Sequence, residues 1–181
     1  MRRPLLYIPL LLVAVALPFA GCSDDEINMI RPPDEPDEEI PAGPAVVRLV
    51  PSRPVYDVGD LVMVQVVIDN AGNVGSVSFK LRYDLQVLVF VPPAIEGPFM
   101  SGDGANTVFL ATDPGGAGEV VVVLSRMGAA QGAEGSGTLA VFQFQAVAAG
   151  NCGFAFTGAT VKDPQARNLP AAFNTVSVRV E

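Results

Sequence analysis

The sequence predicts an all-β protein over residues 45–181, a nine-stranded two-sheet sandwich with jelly-roll topology. Three observations point there. Valine is abundant, and β-branched residues suit a pleated, half-buried surface. The chain's 18 glycines and 16 prolines recur as turn signals between short apolar runs. No stretch carries the helical spacing of apolar residues.

The predicted strands, in order, are Val46–Val50, Leu61–Asn70, Val74–Tyr83, Val87–Val91, Thr107–Thr112, Glu119–Arg126, Thr138–Ala148, Gly153–Thr160 and Phe173–Val180. Alternation assigns their faces, because successive side chains point to opposite sides of a strand. Val77, Phe79, Leu81 and Tyr83 fall on one side; Ser76, Ser78, Lys80 and Arg82 fall on the other. Phe142 and Phe144 alternate with Val141 and are expected in the core. Cys152, Phe154 and Phe156 share a face. Glu119–Arg126 is different, since Val120 to Leu124 are five consecutive apolar residues. Both sides of that strand are hydrophobic, whereas one side of a sandwich strand should face water and read polar. If Val121 and Val123 enter the core, Val120, Val122 and Leu124 face out, with Val108 and Leu110 on the neighbouring strand.

In front of the domain stands a different kind of chain. Arg2 and Arg3 precede an apolar run from Leu5 to Ala20, about 16 residues, which is short of the ~20 needed to span a bilayer. Ala20 and Gly21 then lead into Cys22. This is a secretory signal with a small-residue cleavage site. The segment Leu17-Pro18-Phe19-Ala20-Gly21-Cys22 resembles the lipobox of bacterial lipoproteins, which implies that Cys22 is lipidated and becomes the first mature residue. Residues 1–21 read as signal peptide and 22–44 as an acidic, proline-rich linker with too little apolar surface to fold. At roughly 3 Å per residue, about 20 such residues would hold a domain several nanometres from a membrane. The expected location is therefore the bacterial envelope, at the outer membrane or cell surface.

Charge sits mainly in that linker. Of the net −8, eight acids against Arg31 give residues 22–44 a charge of −7, Arg2 and Arg3 add two positive charges, and −3 remains for residues 45–181. The domain has neither an acidic cation trap nor the basic face that nucleic acid requires.

Chemistry is sparse. The chain has no histidine, which excludes Ser-His-Asp and Cys-His nucleophilic systems and His-bearing zinc sites. Asp57, Asp60, Asp84, Asp103 and Asp113 fall in turns, where aspartate serves the backbone. Ser101–Asn106 has the flavour of a calcium loop but lacks the acidic spacing and closing glutamate. With Cys22 lipidated, Cys152 has no disulfide partner and reads as a small inward hydrophobe. No catalytic residue, cofactor or metal is expected, and the protein is read as a non-enzyme.

From residue 46 to 180 the order of segments resembles the cohesin domains, the modules that bind dockerins in cellulosomes. The resemblance rests on Val55-Tyr56-Asp57-Val58-Gly59-Asp60, on Phe79-Lys80-Leu81-Arg82-Tyr83-Asp84 leading to Val87-Leu88, on Gly118–Arg126, on Gly135–Ala140 and on Ala146–Gly150. It implies a non-catalytic jelly roll that docks its partner on one flat sheet, formed by Gly153–Thr160, Val74–Tyr83, Glu119–Arg126 and Thr107–Thr112. The implied partner-binding residues are Ser76, Ser78, Lys80, Arg82, Val108, Leu110, Val122, Leu124 and Arg126. Ser76 and Ser78 stand where cohesins carry Asn or Asp, and Leu85 replaces their proline. Two other functions compete with dockerin capture. A carbohydrate-binding module would need exposed aromatic platforms, and the chain has no tryptophan. A structural part of an envelope assembly would self-associate through strand edges or apolar faces.

Overall fold

The computed structural model describes residues 43–128 and 131–181. Residues 1–42 lie outside them, so the expected signal peptide, Cys22 and nearly all of the expected linker do too. The described chain is strand and turn throughout: β1 (Ala45–Pro51), β2 (Val55–Tyr56), β3 (Leu61–Val74), β4 (Ser76–Arg82), β5 (Leu88–Glu96), β6 (Thr107–Thr112), β7 (Glu119–Arg126), β8 (Ala133–Ala146), β9 (Gly150–Lys162), β10 (Asn168–Leu169), β11 (Ala171–Asn174) and β12 (Val176–Val180). No helix among the described residues is long and apolar enough to cross a membrane.

Two sheets face each other. The first runs β11-β1-β3-β8-β5, and the second β2-β12-β9-β4-β7-β6, with β10 paired to β9 at its side. This is the predicted two-sheet β-sandwich. All nine predicted strands are present, with two short additions, β2 and β10. The last predicted strand divides. β11 pairs in parallel with β1 in the first sheet, whereas β12 pairs with β9 in the second. The chain changes sheets at Thr175, which closes a corner of the sandwich.

The core forms from the inward halves of alternating strands. Val62, Val64, Val66 and Ile68 of β3 are buried, as are Val77, Phe79, Leu81 and Tyr83 around β4. Phe144 sits at the centre of an aromatic cluster, with ring centroids 4.9 Å from Tyr83, 5.1 Å from Phe154 and 5.7 Å from Phe90. Full burial of one such ring is worth about 1.5–3 kcal/mol. Cys152 is completely buried and accepts the Asp84 backbone N–H at 3.2 Å. Burial pushes its thiol pKa up, so little thiolate forms near neutral pH.

β3 and β8 form a long ribbon whose register shifts between Val66 and Val67, between Ile68 and Ala71, and between Ala71 and Val74. Asn70 and Asn73 take left-handed φ angles of 55° and 57° there, and Gly135 takes 92°. Such bulges bend a ribbon sharply. The segment that follows β5 is held against β8 by the Gly97 N–H donating to the Leu139 carbonyl at 2.9 Å and the Phe99 N–H to the Thr138 carbonyl at 3.1 Å.

Candidate functional site

The outer face of the second sheet is set by strand register. Ser78 of β4 lies opposite Thr160 of β9 and Val123 of β7, and Val123 lies opposite Leu110 of β6. One row over, Ser76 has Lys162 and Ser125 as neighbours, and Ser125 faces Val108. In the next row Lys80 lies between Thr157 and Val121, and Val121 faces Thr112. The face therefore has two halves. The β9–β4 half carries Lys162, Lys80 and Arg82, with serines and threonines between them. The β7–β6 half is apolar. Val108 is 48 % exposed, Leu110 53 % and Val123 39 %. Lys80 reaches across to Glu119, Nζ to Oε1 at 2.9 Å, while Ser78 and Thr160 share a hydroxyl–hydroxyl bond of 2.9 Å.

Six of the nine expected docking residues lie on this face: Ser76, Ser78, Lys80, Arg82, Val108 and Leu110. The other three do not. Val122 and Leu124 are 1 % and 2 % exposed and belong to the core. They share strand parity with Arg126, so one slip of phase accounts for all three. Phe79 pairs with Val122 and Val77 with Leu124, and those inward partners fix β7 with its even-numbered residues inside. Val121 and Val123 take the outer positions instead. The phase was legible in one respect: Glu119 and Ser125 share parity with Val121 and Val123, so the odd positions carry the polar ends.

Arg126 turns inward at the end of β7, beyond the apolar core. Its side chain is 6 % exposed, and Nη2 donates to Asp103 Oδ2 at 2.5 Å. That arginine, followed by the Ala105 N–H, holds the Asp103 carboxyl below the usual carboxylate range. Arg126 Nε is buried and meets no acceptor among the described residues. An unmet buried donor costs on the order of 1–3 kcal/mol. The arginine lines a cleft of about 910 Å³ at the bent end of the β3–β8 ribbon. No group of three or more Cys, Asp and Glu suited to a metal occurs among the described residues.

Sequence reasoning missed one further surface. The outer side of the first sheet exposes Leu61, Met63, Val89 and Ile95. Their cross-strand neighbours are Gln145, Gln143 and Val141, so that surface is apolar but carries no cations in these rows.

No protein-family model matches the chain, and no curated protein matches it. Solved structures do match. A non-cellulosomal cohesin from the hyperthermophilic archaeon Archaeoglobus fulgidus superposes with a TM-score of 0.63 at 19 % identity, over 76 % of this chain and 91 % of that one. The second type II cohesin module of the ScaA scaffoldin of Acetivibrio cellulolyticus gives 0.67 at 15 % identity, over 75 % and 96 %. A type II cohesin–X-dockerin complex from the same organism gives 0.65 at 15 % identity, over 76 % and 99 %. The domain has the cohesin fold. At these identities the likeness carries the fold alone, so any use of the open face by this cohesin-like domain rests on its own residues.

Proposed function

We propose that this cohesin-like domain is a non-enzymatic binding module that captures a dockerin-like protein on the outer face of β9, β4, β7 and β6. The observation that carries the reading is the in-register apolar patch of Val108, Leu110 and Val123, beside the cationic stripe of Lys80, Arg82 and Lys162. A contiguous apolar patch with a polar rim suits a protein partner. Solved relatives of the same fold include a cohesin–X-dockerin complex, which supports a protein partner over a small ligand. Ser76 and Ser78 offer hydroxyls where a carboxylate would otherwise select the partner, so specificity falls to the cations and the apolar rows.

The export reading completes the proposal. Lipid on Cys22 would hold the module at the envelope, with residues 22–44 as a spacer. The open face does not favour carbohydrate, because it presents no aromatic ring: Tyr56 and Tyr83 are both buried.

The test is capture from the host's secreted and envelope proteins by the immobilised chain. A protein with paired Asp-rich calcium loops should be recovered, and chelator should release it. Recovery that survives chelation, or that is unchanged in Leu110→Asp, would count against the dockerin-like reading.

A further inference from the structure

Among the described residues the two sheets end in edge strands, β11 and β5 in the first, β2 and β6 in the second. An edge leaves backbone N–H and C=O groups open to pairing with another chain, and most proteins blunt it. Three of these edges are blunted. β2 is two residues long and follows Pro54. β11 is four residues long and follows Pro170. β5 contains Pro92 and Pro93, and its register shifts between Val91 and Ile95. β6 has none of these features. It reads Thr107-Val108-Phe109-Leu110-Ala111-Thr112, without proline, glycine or charge, and pairs with β7 without a register shift. Such a segment is a strong strand former.

Register decides which backbone groups β6 leaves open. The Met127 N–H donates to the Asn106 carbonyl at 2.8 Å, one step beyond the Thr107–Arg126 pair. The Arg126 N–H turns the other way, to the Gly75 carbonyl at 2.9 Å. Hydrogen-bonded and non-bonded positions alternate along an antiparallel pair. Val108, Leu110 and Thr112 therefore give their backbone groups to β7, and Thr107, Phe109 and Ala111 direct theirs to the open edge. No backbone hydrogen bond outside the strand ladders reaches those three residues among the described ones.

We propose that β6 pairs with β6 of a second copy of this chain, antiparallel about a two-fold axis at Phe109. An isologous pairing sets the same strand against itself. With Phe109 opposite Phe109 of the second copy, Thr107 lies opposite Ala111 of that copy, and Ala111 opposite its Thr107. All three open residues then fall at hydrogen-bonded positions, so every N–H and carbonyl on the edge finds a partner in one register. The same register puts Val108 opposite Leu110 of the second copy at the closer, non-bonded positions. Both side chains are about half exposed in the single chain, at 48 % and 53 %. They meet across the seam with no charge on either strand to oppose them. The strand is thus its own complement, in backbone and in side chains. The pairing does not rest on dockerin-like capture, although it would set two such faces side by side.

The experiment is sedimentation of the full chain in a non-denaturing detergent, with amide hydrogen exchange on the same samples, from about 1 μM to about 1 mM. The expected result is a protein mass that doubles with concentration. Exchange at the Thr107, Phe109 and Ala111 amides should slow at least about tenfold in parallel. Val108, Leu110 and Thr112, already bonded to β7, should change much less. Ala111→Pro removes one open donor at an edge position where proline is tolerated. It should stay a monomer, with the β4–β7 amides still protected. Crosslinking tests the register without touching the backbone. In a Cys22→Ala background, Val108→Cys mixed with Leu110→Cys should form a disulfide between chains, because non-bonded pairs bring Cα atoms to about 4.5 Å. Either variant alone should crosslink at least about tenfold more slowly. Three results would overturn the proposal. They are a mass independent of concentration, a doubling that persists in Ala111→Pro while the edge amides exchange freely, and crosslinking no faster in the mixture than in either variant alone.

Discussion

Leu110 of β6 and Val123 of β7 face each other across paired strands, and both point away from the core. One step along β7, Leu124 points inward and pairs with Val77. The open face and the core are thus separated by a single residue of strand phase, a consequence of the period of two.

Substitutions at the two parities should behave oppositely. Leu124→Asp buries a carboxylate without a partner and is expected to cost about 3–5 kcal/mol or more, enough to unfold a marginal domain. Leu110→Asp lies in water and should change stability by about 0.5 kcal/mol or less. Urea melts of both variants check this.

Charge should govern how fast the partner arrives more than how tightly it stays. Reversing Lys80 and Arg82 to Glu is expected to slow association by about tenfold at low salt, with the difference shrinking above physiological ionic strength. Stopped-flow or surface-based kinetics at several salt concentrations measure it.

The Asp163 loop should weaken in acid. Burial pushes the Asp163 carboxyl up, but hydrogen bonds from the Arg167 N–H and guanidinium, with help from Gln165, outweigh it and leave the pKa below its ordinary value. Arg126 does the same for Asp103. A depressed carboxyl contributes stability that is complete above its unfolded pKa, near 4, and is lost as pH falls through the lower folded value. Thermal melts should therefore be flat for these groups above about pH 5 and decline below about pH 4. Asp163→Asn should flatten part of the decline.

Cys152 should be silent until the sandwich opens. Its thiol is completely buried, and burial raises its pKa. Labelling by a thiol reagent is expected to follow unfolding, with protection lost across the same urea range as the spectroscopic transition. Fast labelling in native buffer would contradict the placement.

Cys22→Ala should move the protein from the membrane fraction to the soluble one. A variant that still sediments with membranes would show that something other than Cys22 lipid holds it.

Much of the fold was legible because most strands mark their own faces. β4 alternates serine and cation with valine, phenylalanine and leucine, and its burial follows that alternation residue by residue. β8 does the same through Phe142 and Phe144. β7 offers no such contrast from Val120 to Leu124, so its phase is decided by the partners across β4 rather than by its own residues. The two-residue strands β2 and β10 leave no periodic signal at all. The Arg126 cleft was illegible for a different reason. It is assembled from segments as distant as Asn73, Asp103 and Gly132, and only the bulged β3–β8 ribbon brings them together.

The most direct test of the account compares capture by the native chain, Leu110→Asp and Met63→Asp against the same secreted proteins. Met63 lies on the exposed outer side of the other sheet and serves as the control. The account predicts that Leu110→Asp loses the partner while remaining folded, and that Met63→Asp keeps it. Equal capture by Leu110→Asp, or loss only in Met63→Asp, would contradict the assignment of the β9-β4-β7-β6 face.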